Sequence, residues 1–191
     1  METNRRSFIK AMGITTVAAG TLGNWDELFA GPGAAGIGMC DWNAGGSADP
    51  SIIPKAAKAH LQGLQVSVGT NPNNIPLREK KVRQEYLELG KKYGIKVHSI
   101  AAGSILNKIP LATEPQSAVY VIDALEAAAA LGAKNILMAF FGNGDLRKKN
   151  SEGKPIEKNI DGFSSYELDA PKVKRVVEVL RQIVPRANDL G

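Results

Sequence analysis

The chain contains a single cysteine, Cys40, among its 191 residues. Because it has no partner in the same chain, it cannot form an intramolecular disulfide, and this excludes a disulfide-stapled scaffold. Aromatic residues make up only 6% of the chain, and the basic clusters are not interleaved with them, which argues against a nucleic-acid-binding surface. Every apolar run is shorter than the ~20 residues that a membrane-spanning helix needs, so we expect no membrane insertion.

Histidine is also scarce, and the common nucleotide motifs are absent. The two histidines, His60 and His98, are too few to make an all-protein zinc site plausible, and we interpret both as structural. Cys40 is interpreted as a small buried residue. No strand-like run is followed by Gly-x-Gly-x-x-Gly or by a P-loop, which disfavours a nucleotide-dependent reductase.

Residues 1–35 have the composition of a targeting segment. Arg5 and Arg6 precede a weakly apolar stretch rich in Ala, Gly and Thr, and small residues follow it. A basic start, an apolar centre and small residues are typical of export signals, and paired arginines are typical of the twin-arginine type. We therefore predict a twin-arginine signal and linker at 1–35, and an exported or periplasmic protein. The alternative is a first amphipathic helix.

From residue 36 onward, helix-like stretches end on glycines. Gly63, Gly94 and Gly132 are each followed by a short apolar run, and Gly191 ends the sequence where we expect another strand. Strands that alternate with helices predict a parallel sheet. The strands are predicted at 36–41, 64–68, 95–101 and 135–141, and the helices from Asp49-Pro50, over 77–93, over the region around 118–131, and from 170 onward.

The last part of this pattern carries three further predictions. Residues 135–141 are nearly all apolar, which is typical of a parallel strand covered on both faces. Residues 142–165 are polar and glycine-rich, so we predict a long loop there. Pro185 is expected to kink or interrupt the final helix.

Two architectures fit the alternation, an open doubly wound sheet and a (β/α)8 barrel. The roughly 30-residue spacing of the units favours a barrel, which typically needs ~250 residues. The expected fold is therefore a partial TIM barrel of about four β/α units with parallel strands.

Three segments carry a resemblance to a known family. Gly38-Met39-Cys40-Asp41-Trp42, residues 64–69 and the Phe-Phe-Gly-Asn-Gly-Asp stretch within 139–146 resemble the xylose isomerase-like sugar phosphate isomerase/epimerase barrels, in a branch that often carries twin-arginine signals. The resemblance covers residues 36–191 and implies the N-terminal half of such a barrel. It also implies an exported enzyme that moves a proton on a sugar or sugar phosphate.

The resemblance implies a divalent metal, Mn, Mg or Zn, in the full-length family member. Members hold it with Glu, Asp, His and Glu at the ends of strands five to eight, and two of the carboxylates act as acid and base. No position in this chain matches those ligands, so we predict no metal ligand and no catalytic residue here, and whether the chain is an enzyme stays open. The alternative is an exported, non-catalytic carbohydrate-binding or interaction protein, with a homodimer covering the exposed sheet edges.

Barrel sites are built at the carboxyl ends of the strands. This rule nominates five substrate-binding residues, namely Asp41, Trp42, Ser67, Phe141 and Asn143. Trp42 either stacks on a sugar ring or packs on the rim of the barrel. Phe141 is typical of a core residue as well as of a ligand contact, and Asn143 is as typical of a turn as of a hydroxyl-binding group.

Overall fold

The computed structural model describes residues 36–191, so the predicted export signal at 1–35 lies outside the described residues. From Ile37 to Gly191 the chain forms one compact unit. Its centre is a four-stranded parallel sheet of order β1-β2-β3-β4. The strands are β1 (Gly38–Cys40), β2 (Gly63–Ser67), β3 (Lys96–Ala101) and β4 (Asn135–Leu137). The predicted α/β class with parallel strands is confirmed.

Within residues 36–191, five α-helices accompany the sheet. They are α1 (Ile53–Lys58), α2 (Lys80–Tyr93), α3 (Gly103–Lys108), α4 (Ala118–Leu131) and α5 (Ala170–Leu190). Each strand pairs with the next strand of the chain, and crossovers between parallel strands are right-handed. The crossover helices therefore lie on one face of the sheet. Within residues 36–191, none of the helices combines the length and the apolar character needed to cross a bilayer.

The main core lies between that face and the helices. In β2 and just after it, Leu64, Val66 and Val68 are at most 1% exposed, whereas Gln65 between them is half-buried. This period of two places the three apolar side chains against the helices. Each such burial stabilises the fold by about 1.5–3 kcal/mol. Tyr86 of α2 and Ala124 of α4 pack in the same cluster.

The helix boundaries follow the signals in the sequence. Gly94 and Gly132 end α2 and α4 with φ of 72° and 74°, a left-handed conformation that glycine adopts without steric cost. The predicted cap Asp49 accepts a hydrogen bond from the Ser51 amide at 2.9 Å and begins a 3-10 turn that leads into α1. Asp169 caps α5 by accepting from the Lys172 amide.

The prediction for the fourth strand is wrong in length and burial. β4 ends at Leu137 rather than at residue 141, and the side chain of Leu137 is 45% exposed. β4 pairs only with β3, so it is an edge strand of the described sheet. An apolar run marks a strand that can be covered on both faces, but it does not say whether neighbours cover it.

The predicted loop at 142–165 is also wrong, because it contains most of an antiparallel hairpin. β5 (Glu157–Ile160) pairs with β6 (Phe163–Tyr166). Asp161 and Gly162 connect them with φ of 51° and 82°. Asp-Gly is a preferred pair for two-residue hairpin turns because both positions need positive φ.

Two smaller differences concern helices. Between the strand predicted at 95–101 and the helix predicted around 118–131, the structure contains α3, whose Ile105 and Leu106 are buried in the core. The interruption predicted at Pro185 does not occur, since α5 continues to Leu190. One lost backbone hydrogen bond is tolerated in a helix of 21 residues that packs on α4 through an apolar stripe.

Candidate functional site

The carboxyl ends of the four parallel strands meet at one edge of the sheet. The Asp41–Ala44 turn follows β1, a loop from Val68 follows β2, α3 follows β3, and the Gly142–Gly144 turn follows β4. All five nominated residues lie at this edge or in its loops, which we call the carboxyl edge. Ligands of α/β sheets bind at such an edge because loops from several strands converge there.

Asp41 lies beneath the carboxyl edge rather than on its surface. Its side chain is fully buried, and its Oδ2 accepts hydrogen bonds from the backbone amides of Ala48 at 2.9 Å and Ser67 at 2.8 Å. Burial raises the pKa of this carboxyl, and the backbone hydrogen bonds oppose that rise. Asp41 therefore joins the loop after β1 to the end of β2.

Ser67 is likewise buried, with 3% of its surface exposed. Its Oγ accepts a hydrogen bond from the Gly69 amide at 3.0 Å. Gly69 has φ of 122°, a conformation that side-chain-bearing residues rarely adopt. Ser67 and Gly69 thus form the turn after β2, and the Ser67 amide holds Asp41.

Trp42 and Phe141 are the two aromatic members of the nominated set, and both are exposed. Each side chain is 45% exposed. They follow the two edge strands of the sheet, β1 and β4, which are separated by three strand spacings, or ~14 Å. A single sugar ring cannot contact both across a flat sheet, so the two aromatic rings are separate contact points.

Asn143 is exposed and is held by a residue that the sequence did not nominate. The backbone N–H of Asn143 donates to the side-chain oxygen Oδ1 of Asn107 in α3 at 2.8 Å. A Cβ at Gly142 would collide with the Asn107 side chain, so this turn requires glycine. The next residue of α3, Lys108, donates from Nζ to the Thr70 carbonyl at 2.7 Å. Helix α3 therefore ties the loop after β4 to the loop after β2.

Asp145 lies just beyond this turn and is 5% exposed. The guanidinium of Arg147 donates to both carboxylate oxygens, with Nε–Oδ1 at 2.9 Å and Nη2–Oδ2 at 2.8 Å. These hydrogen bonds, followed by smaller charge effects, hold the pKa of Asp145 below its usual value. The guanidinium also lies 4.8 Å from the centre of the Tyr166 ring. The Asp145 carboxylate is thus engaged within the chain.

A polar row crosses the sheet, with Cys40, Gln65 and Ser99 in register on adjacent strands. Cys40 Sγ donates to Gln65 Oε1 at 3.2 Å, and Gln65 Nε2 donates to Ser99 Oγ at 2.9 Å. Cys40 is half-buried, not buried as expected. Burial and the neighbouring Asp41 raise the pKa of its thiol, which disfavours the nucleophilic thiolate.

The histidines lie apart from the carboxyl edge. His98 in β3 is exposed and lies against Gly63, where a Cβ would collide with the imidazole. A cavity of about 330 Å³ beside it is lined by the ends of α2 and α4, at the opposite edge of the sheet. His60 is exposed after α1.

The metal implied by the family resemblance does not fit the residues that the structure describes. Across residues 36–191 there is no group of three or more His, Cys, Asp or Glu side chains that could hold a metal ion. The two buried carboxylates at the carboxyl edge are engaged by backbone amides and by Arg147. No reaction step through a metal is therefore assigned to these residues.

No family model matches the chain, and no curated protein matches it.

Proposed function

We propose that residues 36–191 form part of a (β/α)8 barrel rather than part of a doubly wound sheet. The support is the strand order β1-β2-β3-β4, which follows the chain without reversal. Doubly wound sheets reverse their strand order, and that reversal creates their ligand crevice. A sheet wound in one direction carries its crossover helices on one face, as in a barrel.

We further propose membership of the xylose isomerase-like sugar phosphate isomerase/epimerase family, with export by the twin-arginine route and a sugar or sugar phosphate as ligand. The observation that carries the ligand class is the exposure of Trp42 and Phe141 at the carboxyl edge, 45% each. A sugar ring presents C–H groups on one face, and an aromatic ring can bury that face while the hydroxyls keep polar partners. The family membership rests on the sequence resemblance.

In this proposal some residues of the carboxyl edge contact the sugar, and others hold the backbone that carries them. Trp42 stacks on one monosaccharide ring, and Phe141 provides a separate apolar contact for another ring. The Asn143 side chain hydrogen-bonds sugar hydroxyls, while Asn107 holds its backbone. Asp41 and Ser67 hold the underlying backbone. We assign substrate binding to Trp42, Phe141 and Asn143, and proton transfer to none of these residues.

Carbohydrate binding without turnover is the second candidate. It is favoured by the same residues, since each contact assigned above serves binding alone. The described sheet also has two edge strands, β1 and β4, whose outer backbone groups can pair with another chain. A homodimer that covers these edges belongs to this candidate.

The test is a calorimetric titration of the full chain with D-glucose, D-fructose and their 6-phosphates, which measures the dissociation constant of each sugar. Trp42→Ala should raise the dissociation constant about tenfold, because an aromatic contact is worth up to about 1.5 kcal/mol. Phe163→Ala is the matched control. Phe163 is 76% exposed on the hairpin, outside the carboxyl edge, and its removal should leave binding unchanged.

Turnover separates the two candidates. Interconversion of the bound sugars in the presence of Mn²⁺, Mg²⁺ or Zn²⁺ would support the isomerase or epimerase, and binding without conversion would support the second candidate. Absence of sugar binding, or equal affinity of Trp42→Ala and the parent chain, would overturn the proposed role of the carboxyl edge.

A further inference from the structure

The loop that carries Trp42 has a short and tightly closed backbone. The amide of Gly45 donates to the Trp42 carbonyl at 3.3 Å, and the amide of Gly46 donates to the Asp41 carbonyl at 3.2 Å. Gly45 has φ of 85°, which reverses the chain after the Asp41–Ala44 turn. The Trp42 side chain projects from this loop and is 45% exposed. Its place therefore depends on how the loop is fastened to the sheet.

The buried Asp41 carboxylate holds this loop to the sheet through hydrogen bonds. One oxygen, Oδ2, accepts from Ala48 at the far end of the loop and from Ser67 at the end of β2. Ala48 is buried and has φ of 54°, a left-handed conformation that is costly for alanine. A hydrogen bond to a buried carboxylate offsets part of that cost.

The second oxygen of Asp41 distinguishes this carboxylate from a fully satisfied core group. Oδ1 is buried and has no hydrogen-bond partner among the described residues. A buried carboxyl oxygen without a partner is unfavourable for stability. The hydrogen bonds of Oδ2 are thus what Asp41 supplies here, and they join the loop to the end of β2.

We infer that Asp41 is a positioning residue that sets the orientation of Trp42 at the carboxyl edge. This inference rests on the proposed role of Trp42 in sugar binding. Asp41 is fully buried and does not contact the ligand. It acts through the amide of Ala48, at the far end of the loop, and the amide of Ser67, at the end of β2.

The test uses the full chain with Trp25→Phe, so that Trp42 is the only tryptophan that reports. In Asp41→Ala, quenching of Trp42 by acrylamide should increase about twofold, and the dissociation constant for the sugar that binds best should rise about tenfold. Asp41→Asn keeps an oxygen that can accept both hydrogen bonds, so it should restore both values to within about twofold of the parent.

Val179→Ala is the control for general destabilisation. Val179 lies in α5 and is 5% exposed, so its truncation weakens the core away from the carboxyl edge. Trp42 quenching and sugar affinity should stay at the parent values in this variant. Unchanged quenching in a folded Asp41→Ala protein would overturn the positioning role, whatever the sugar binding shows. Altered quenching without any sugar binding in the parent would instead overturn only the proposed function.

Hydrogen exchange on the parent chain keeps the inference testable if Asp41→Ala does not fold. The amides of Ala48 and Ser67 should exchange at least about tenfold more slowly than that of the exposed Asn43 in the same loop. Exchange of the Ala48 amide as fast as that of Asn43 would show that the carboxylate does not hold the loop, and the positioning role would fail.

Discussion

Asp41 and Asp145 are buried aspartates that follow the first and last strands of the same sheet. Asp41 is held by two backbone amides and is 0% exposed, whereas Asp145 is held by the guanidinium of Arg147 and is 5% exposed. The side chain of Arg147 is itself 37% exposed. The first carboxylate meets only dipoles in the interior, and the second meets a full charge that stays in contact with water.

The two partners move the two pKa values in opposite directions. Burial raises the pKa of Asp41, and the hydrogen bonds from Arg147 lower the pKa of Asp145. The comparison indicates different roles for one residue type in similar positions. Asp41 joins the loop after β1 to the end of β2 through buried hydrogen bonds, and its burial disfavours the charged carboxylate. Asp145 instead forms an ion pair with the partly exposed Arg147 near the hairpin.

The largest expected effect is the loss of stability in Asp41→Ala. Removing this carboxylate leaves two buried backbone amides without acceptors, at roughly 1–3 kcal/mol each, so the free energy of unfolding should fall by about 3 kcal/mol. In Asp145→Ala the fall should be about 1 kcal/mol, because Arg147 can be solvated by water. Urea unfolding of the parent and both variants measures the difference. Equal losses would contradict the distinction between a buried join and a surface ion pair.

A second, smaller effect is the dependence of stability on pH. The folded pKa of Asp41 lies above its ordinary value of 3.8, so its contribution to stability is fully present below that value and is lost as the pH rises through the folded pKa. The folded pKa of Asp145 lies below 3.8, so its contribution is present above that value and is lost as the pH falls through the folded pKa.

Conservative amide variants isolate these two contributions. Relative to the parent, Asp41→Asn should become more stable as the pH rises from 3.8, and Asp145→Asn should become less destabilising as the pH falls below 3.8. Either slope is limited to about 1.4 kcal/mol per pH unit, because one proton is involved. Urea unfolding at a series of pH values from about 2.5 to about 7 measures both slopes. This range covers roughly the pH below and above the ordinary aspartate pKa. Slopes of the same sign would show that the two carboxylates share one environment.

The same contrast explains how much of the molecule the sequence predicts. Gly94, Gly132 and the alternation in β2 are local signals, because a helix end or a period of two is set by neighbouring residues. Asp41 lies at the end of β1, where the strand pattern places it, but it is buried and accepts from the amide of Ser67, 26 residues away. The position of a residue at a strand end therefore predicts where it lies in the sheet, but it does not predict whether its side chain is exposed.

Three features that are not predicted above are the Asn107 contact, the short length of β4 and the hairpin. The first two depend on residues that are distant in the chain, and the third has a local turn signal. Asn107 supports the Asn143 turn from 36 residues away, and nothing in the residues around it marks that contact. β4 is short and has a neighbouring strand on one side only in the described sheet, and neither property is marked in its own residues. The hairpin was predictable, since Asp161-Gly162 is a local turn signal that the polar composition of the segment obscured.

The smallest expected effect concerns Ala48, whose positive φ belongs to the Asp41 join. Ala48→Gly removes a left-handed strain of about 1–2 kcal/mol but adds about 0.4–1 kcal/mol of unfolded-state entropy, so the free energy of unfolding should rise by about 0.5 kcal/mol. Asp161→Gly is the matched control, because Asp161 has a similar φ of 51° in an exposed turn. Aspartate tolerates this conformation better than alanine does, so Asp161→Gly should change stability by less than Ala48→Gly. Thermal or urea unfolding resolves the two variants. A loss of stability in Ala48→Gly would show that the Asp41 carboxylate holds the loop without strain at its far end, and the contrast with Asp145 would then rest on burial alone.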